Sequence, residues 1–298
     1  MKIAVRVKQA TERVSQATGL DTISDKFAHL IHDAVLAGGK PTRYFADLLH
    51  GTWLGHPLHP LLTDLVVGSW SAAAIFDLLS LFSDGDEMAQ TADNLTAVGA
   101  LAAVPTVLSG LMDYSTAPHN TRSTVLVHAL ANDIGFVTDL LSLKARRDGN
   151  RGAGLALSGF GFGLLAAGAY LGGHLVFNEK VGVRHLQPVD EPGDWQPVLA
   201  SEELTEATPR RVEVAEQPVL VYRQNGTIFA VGARCPHAGG PLDEGAFENE
   251  TVQCPWHDSV FALSNGAVVH GPATNAVPNY EVRERDGQVE LRFVSSPA

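Results

Sequence analysis

Apolar residues follow two patterns along the chain. Between residues 58 and 178 they run in four long blocks, at 58–82, 94–112, 123–143 and 152–178, and the second and fourth blocks carry no formal charge. Each block is close to the ~20 residues a helix needs to cross a bilayer. Short polar connections at 83–87, 116–120 and 144–151 separate them. A soluble bundle needs a polar face on every helix, and the two uncharged blocks offer none. The pattern therefore predicts four transmembrane helices. From residue 195 the apolar runs shorten to strand length, at 212–214, 219–222, 227–231 and 289–293. Asn225-Gly226 and Asp286-Gly287 are hairpin-turn dipeptides between such runs, so this part reads as all-β.

The flanks complete the plan. Phe27, Leu30, Ile31 and Val35 recur at helical spacing, and Gly38-Gly39-Lys40-Pro41 breaks that helix before a second apolar face at Phe45, Leu48 and Leu49. Residues 1–50 are expected to lie at a membrane interface, the alternative being a lead-in helix away from lipid. Residues 1–20 lack the apolar stretch of a cleavable signal peptide. The expected organisation is an interfacial region over 1–50, a four-helix transmembrane domain over 51–178, a linker over 179–194 and an all-β domain over 195–298. Gly154, Ser158, Gly161, Gly168 and Gly172, with Gly99, Ala103 and Gly110, mark the faces where helices approach closely in lipid.

Charge adds a restriction. The net charge is −12, and from Glu191 onward there are 7 Lys/Arg against 16 Asp/Glu. So acidic a domain argues against nucleic acid, whose phosphates need a basic face. It favours a redox protein partner with a basic docking face, beside the membrane lipid. Orientation stays open: Lys40, Arg43, Arg122, Lys180 and Arg184 on the side of the termini face Lys144, Arg146, Arg147 and Arg151 on the other. Four spans put the N-terminal region and the β domain on the same side. The expected side is the cytoplasmic face of a bacterial inner membrane.

Ionisable residues inside the spans are costly and belong in the bundle interior. His59 and Asp77 are five helical turns apart and share a face with Thr63 and Trp70, while His128, Asn132, Gly135 and Asp139 form a stripe on the third block. His56, His59, Asp77, His128, Asp133 and His174 are the candidate membrane site. Interhelical hydrogen bonding, haem b ligation by paired histidines, a quinone pocket and a proton path all fit these residues.

The chemistry concentrates elsewhere. The chain has two cysteines, and both open short motifs: Cys235-Pro236-His237-Ala238-Gly239-Gly240-Pro241-Leu242 and Cys254-Pro255-Trp256-His257-Asp258-Ser259-Val260-Phe261. A disulfide or a zinc ion would use fewer features of this pattern. Two Cys and two His on two loops can also hold a 2Fe-2S cluster, with Cys235 and Cys254 on an inner iron and His237 and His257 on an outer one. Neutral imidazoles in place of two thiolates raise the reduction potential.

Two family resemblances follow from these motifs. The stretch from Asp194-Trp195 through both Cys/His loops to Gly271-Pro272-Ala273 resembles a Rieske 2Fe-2S domain of the ferredoxin type. The resemblance implies Cys235, His237, Cys254 and His257 as cluster ligands. Without a third cysteine the extra disulfide of high-potential Rieske proteins is absent, which implies the lower-potential group. Asp258 stands where the family usually has Gly. Residues 20–186 resemble an uncharacterised bacterial four-helix membrane domain of unknown function, through Gly55-His56-Pro57-Leu58-His59-Pro60, Phe76-Asp77-Leu78, Gly110-Leu111-Met112-Asp113, His128 and Leu171-Gly172-Gly173-His174-Leu175-Val176. The fold class is thus a multidomain membrane protein: an α-helical four-transmembrane bundle followed by an all-β Rieske iron–sulfur domain. The function expected is membrane-tethered electron transfer, as a component of an oxidoreductase system rather than a stand-alone enzyme. Two alternatives are passage of electrons between the cluster and a haem or quinone in the bundle, and redox sensing through partner binding. A Rieske oxygenase is disfavoured, since the sequence holds no stretch resembling the mononuclear-iron domain those enzymes add.

Overall fold

The computed structural model describes residues 19–83, 85–186 and 193–295. The reading of the first eighteen residues, and of the middle of the 179–194 linker, lies outside the described residues. The described chain divides into two units. One comprises the described parts of Met1–Ala37 and Leu58–Val181, the other Gly38–Pro57 and the described parts of Gly182–Ala298.

The first unit is helical: α1 (Leu20–Ala37), then α3 (Leu58–Ser80), α4 (Glu87–Ser115), α5 (Arg122–Arg147) and α6 (Arg151–Phe177), with α2 (Gly39–His50) belonging to the second unit. Four of its helices are long and apolar enough to cross a membrane. Their outer faces are oily: Leu61, Leu65, Ile75, Leu101, Ile134 and Phe160 are all exposed. Their inner face is polar, with Thr96, Ser109, Thr138, Asp139, Ser142 and Arg146 buried. This polarity suits lipid outside and internal hydrogen bonding inside. Small residues do what the sequence predicts. A Cβ on Gly99 would stand 2.3 Å from the Trp70 indole, and one on Gly168 would stand 2.4 Å from the Asn132 amide.

The α1 helix is held to this bundle by polar contacts. Tyr114 donates to the Ser24 carbonyl at 2.6 Å, and Arg122 meets Asp25 at 3.1 Å. The positions facing inward are Ser24 and Ala28, whereas Leu30 of the predicted apolar stripe is 65 % exposed. The 1–50 stretch is therefore shared between the two units, α1 with the bundle and α2 with the β domain.

The second unit contains two antiparallel sheets. Strands β1 (Gln196–Ala200), β2 (Arg210–Val214), β3 (Gln217–Gln224), β4 (Thr227–Gly232), β9 (Asn279–Arg285) and β10 (Gln288–Ser295) form a six-stranded sheet in the order β1-β10-β9-β4-β3-β2. Strands β5 (Ala246–Glu248), β6 (Thr251–Gln253), β7 (Val260–Ala262) and β8 (Val268–His270) form a four-stranded one in chain order. Asn225-Gly226 and Asp286-Gly287 are left-handed at both residues, as tight hairpin turns require. Val219, Val221, Val289 and Leu291 fill one core, and Leu220, Val231, Val252, Phe261 and Val277 fill a second core together with Cys235 and Cys254. The cysteines are thus seated in the packed interior of the β domain.

Candidate metal centre

Two loops carry the Cys/His motifs, one between β4 and β5 and the other between β6 and β7. In the first, the Cys235 N–H donates to the Gly240 carbonyl and Gly239 N–H donates back to Cys235, both at 2.8 Å. In the second, the Cys254 N–H donates to the Ser259 carbonyl at 2.8 Å and Asp258 N–H donates to Cys254 at 3.2 Å. Each loop therefore curls around its cysteine with the same bonding pattern. The tightness is sequence-encoded. Gly239 has φ +81°, and a Cβ on Gly240 would stand 2.8 Å from the Cys254 sulfur. Asp258 takes φ +62°, a left-handed value that Asp accepts more readily than most residues.

The loops bring the four predicted side chains together. Both cysteines are buried free thiols. The His237 and His257 rings lie edge to face, with centroids 5.0 Å apart. The Cys254 thiol is pushed down to about 7, first by a hydrogen bond from Cys235 and also by the N–H groups of Trp256 and His257. Its partner Cys235 moves the other way, since it supplies the shared proton. The His237 imidazole is driven well down by burial, then by His257, His50 and His185, so the ring is neutral. Its Nδ1 is buried without a hydrogen-bond partner. A buried lone pair with no donor suits a metal, and thiolates aimed at by N–H groups suit one too. Two buried thiols and two imidazoles on two loops are the donor set of a 2Fe-2S cluster.

Comparison with known proteins agrees with this geometry. Residues 194–281 match the family model described as Rieske [2Fe-2S] domain. The anthranilate 1,2-dioxygenase ferredoxin subunit of Burkholderia cepacia is 35% identical over 98 residues, covering 33% of this chain and 91% of that one. The chain belongs to the Rieske [2Fe-2S] family. The 3-phenylpropionate/cinnamic acid dioxygenase ferredoxin subunit of Photorhabdus laumondii is 36% identical over 95 residues, 32% of this chain and 90% of that one. Apoptosis-inducing factor 3 of Homo sapiens is 29% identical over 119 residues, 40% of this chain but 20% of the longer human protein. Residues 55–185 match a second model, described as predicted membrane protein (DUF2231). The chain thus joins a Rieske domain of ferredoxin type to a predicted membrane domain with four candidate spans.

Around the Rieske loops lie residues that sequence reasoning missed. Ser259, fully buried, accepts from the Ala273 N–H at 3.0 Å and favours the thiolate form of Cys235. Gln253 donates to the Asp258 carboxylate. The α2 helix adds Arg43, whose Nη2 donates to the Asp258 carbonyl at 3.2 Å, and Asp47, which accepts from His270 Nδ1 at 2.7 Å and Gly271 N–H at 2.8 Å. The i, i+4, i+7 spacing of Arg43, Asp47 and His50 was a visible signal of one polar helical face, but it named no partner.

The six membrane candidates are not gathered into one site. His56 is exposed and belongs to the second unit. Asp77 is consumed by a buried ion pair: Arg146 donates to its two oxygens at 2.8 and 2.5 Å, and to Asp93 at 2.6 Å. Arg151 adds contacts to both aspartates. Asp133 is half-buried, and His174 is buried with Nε2 3.3 Å from Glu179. His59 and His128 do come together, with ring centroids 6.2 Å apart, each donating from Nδ1 to a backbone carbonyl, Thr106 at 2.9 Å and Gly168 at 2.8 Å.

Proposed function

We propose that the chain is a membrane-tethered electron carrier. Its Rieske domain holds a 2Fe-2S cluster on Cys235, Cys254, His237 and His257, and the four apolar helices keep that domain at the lipid surface. The observation that carries this reading is the convergence of two buried thiols and two imidazoles, one of them with an orphaned Nδ1. When bound, the cluster takes up and gives back one electron at a time. The protein supplies the rest. Cys235, and then the N–H groups of Trp256 and His257, favour the Cys254 thiolate. The packed second core excludes water from both sulfurs, since Cys235 and Cys254 are 1 % and 2 % exposed.

The partner proposed is a redox protein that accepts or donates single electrons through a basic face. The named relatives that support this are ferredoxin subunits of dioxygenases. The acidic composition of this domain, with 7 Lys/Arg against 16 Asp/Glu from Glu191 onward, favours such a face. The test is electron paramagnetic resonance of the purified, dithionite-reduced membrane protein, with iron, sulfide and zinc analysis. A Rieske-type signal lost in Cys235→Ser and His257→Ala supports the assignment. Zinc in place of iron overturns it.

One observation favours a second reading, electron passage into the bundle. In the His59–His128 pair each Nδ1 proton is fixed on a backbone carbonyl, which leaves Nε2 as the ligating atom. Two such imidazoles would serve as the ligand pair of a haem b. An optical spectrum of the same preparation decides it. A haem band that disappears in His128→Ala supports this reading, and a spectrum with cluster bands alone refutes it.

A further inference from the structure

Helix α2 lies outside both matched regions, 55–185 and 194–281, yet it packs within the Rieske unit. Three of its side chains reach the surroundings of the cluster loops. Asp47 takes the His270 Nδ1–H with one oxygen and the Gly271 N–H with the other. Tyr44 lies against the His270 ring, centroids 5.5 Å apart, and Arg43 holds the carbonyl of Asp258, the residue after ligand His257. At the end of the helix and just beyond it, His50 and Thr52 close over Gly271: a Cβ there would meet Thr52 at 2.8 Å and His50 at 3.6 Å. His50 itself is 5 % exposed. From the other end of the domain, His185 N–H donates to the carbonyl of Pro236, next to His237, at 3.0 Å. On the second cluster loop, by contrast, Pro255 is exposed and Trp256 is 54 % exposed.

We propose that Asp47 is a positioning residue that clamps α2 onto the cover loop beside the cluster loops, so that electrons enter and leave by the exposed edge of Pro255 and Trp256. This rests on the cluster assignment above. The clamp is bidentate and charge-assisted, and Asp47 ties α2 to the end of β8 and the Gly271-Pro272-Ala273 cover loop by two hydrogen bonds. Releasing it opens a second approach without altering any cluster ligand.

The experiment uses the full chain in detergent. Amide hydrogen exchange is followed over residues 43–51 and 270–273, and the reduced protein is reoxidised by ferricyanide, each ferricyanide taking one electron from the cluster. In the parent, the α2 amides should be protected to the same degree as the β4–β5 loop. Asp47→Ala should lose that protection and be reoxidised at least threefold faster at equal iron content. Asp47→Asn, which keeps one acceptor oxygen, should fall between. Equal protection and equal rate in Asp47→Ala overturn the proposal, as do parent α2 amides that exchange at the rate of open chain. Should Asp47→Ala lose its cluster, Arg43→Ala is read by the same two measurements, with the same outcome required. Failure of the functional reading is separate: a parent without the Rieske signal refutes the cluster, whereas α2 protection is measured independently of it.

Discussion

Replacing Ser259 with Ala should lower the reduction potential of the cluster. The Ser259 hydroxyl is fully buried, its oxygen accepts from Ala273 N–H at 3.0 Å, and it favours the thiolate of the neighbouring Cys235. With the oxygen engaged by the cover loop, the hydroxyl proton can turn to the Cys235 sulfur. Hydrogen bonds to sulfur favour the reduced cluster because reduction adds negative charge there. A hydrogen bond to a charged group contributes about 1.5–3 kcal/mol. The added electron spreads over several atoms, so the bond strengthens by only part of that, about 1 kcal/mol. For a one-electron couple, with 59 mV per tenfold change, this is a fall of about 40 mV. A redox titration followed by electron paramagnetic resonance measures it, with visible absorption confirming an intact cluster. A potential within roughly 10 mV of the parent, at full cluster content, would refute the reasoning. The variant should also be less stable by about 1–3 kcal/mol, because the Ala273 N–H loses its acceptor in a dry site.

Three further outcomes are expected. Asp258→Gly should raise the potential, because the Asp258 carboxylate acts on Cys254 as negative charge and glycine accepts φ +62° without strain; an equal or lower potential counts against this. Arg146→Ala should destabilise the bundle by up to about 3–5 kcal/mol, leaving the buried Asp77 and the half-buried Asp93 with only the more exposed Arg151 as counter-charge. Thermal melts in detergent check this, with Arg146→Met/Asp77→Leu recovering most of the loss and a single variant melting within about 2 °C of the parent refuting it. Burial pushes the Tyr280 phenol up to about 12. The folded protein then keeps a proton that the unfolded chain releases near pH 10, so stability holds below pH 10 and falls by up to about 2–3 kcal/mol as pH rises towards 12. Tyr280→Phe should abolish that fall in alkaline denaturation curves, and a fall of the same size in both proteins would sink the assignment.

What could be read from the sequence depended on the range over which each feature is encoded. The four spans are local, since a long apolar run needs no distant partner to declare itself, and the helices Leu58–Ser80, Glu87–Ser115, Arg122–Arg147 and Arg151–Phe177 fall on the predicted blocks. The two Cys/His loops are local in the same sense: Gly239, Gly240 and the prolines beside each cysteine specify a tight turn wherever they stand. Strands β5 to β8 were not legible, because three residues are too few to display a period of two. Partner identity was harder still. Asp77 announces a costly charge, but whether it serves a redox site or an ion pair depends on Arg146, 69 positions away.

Helix α2 shows the same limit at the cluster itself. Its apolar pattern states that one face is buried and is silent about the surface that buries it. A membrane interface and a protein domain satisfy that pattern equally, which is why Phe45, Leu48 and Leu49 suggested lipid. In the structure Phe45 and Leu48 remain more than half exposed, at 54 % and 51 %. The packed face is Ala46, Leu49 and His50, and the specificity comes from Asp47 reaching a histidine and an amide more than 220 positions later. Apolar periodicity tells a helix that it must be covered, whereas paired polar groups choose what covers it. In this chain that choice lays a segment from the amino-terminal side of the membrane helices over the iron–sulfur loops on their carboxy-terminal side. A shortened chain beginning at residue 194 would retain every cluster ligand and still lack this cover, so its reoxidation by ferricyanide should resemble that of Asp47→Ala rather than that of the full chain.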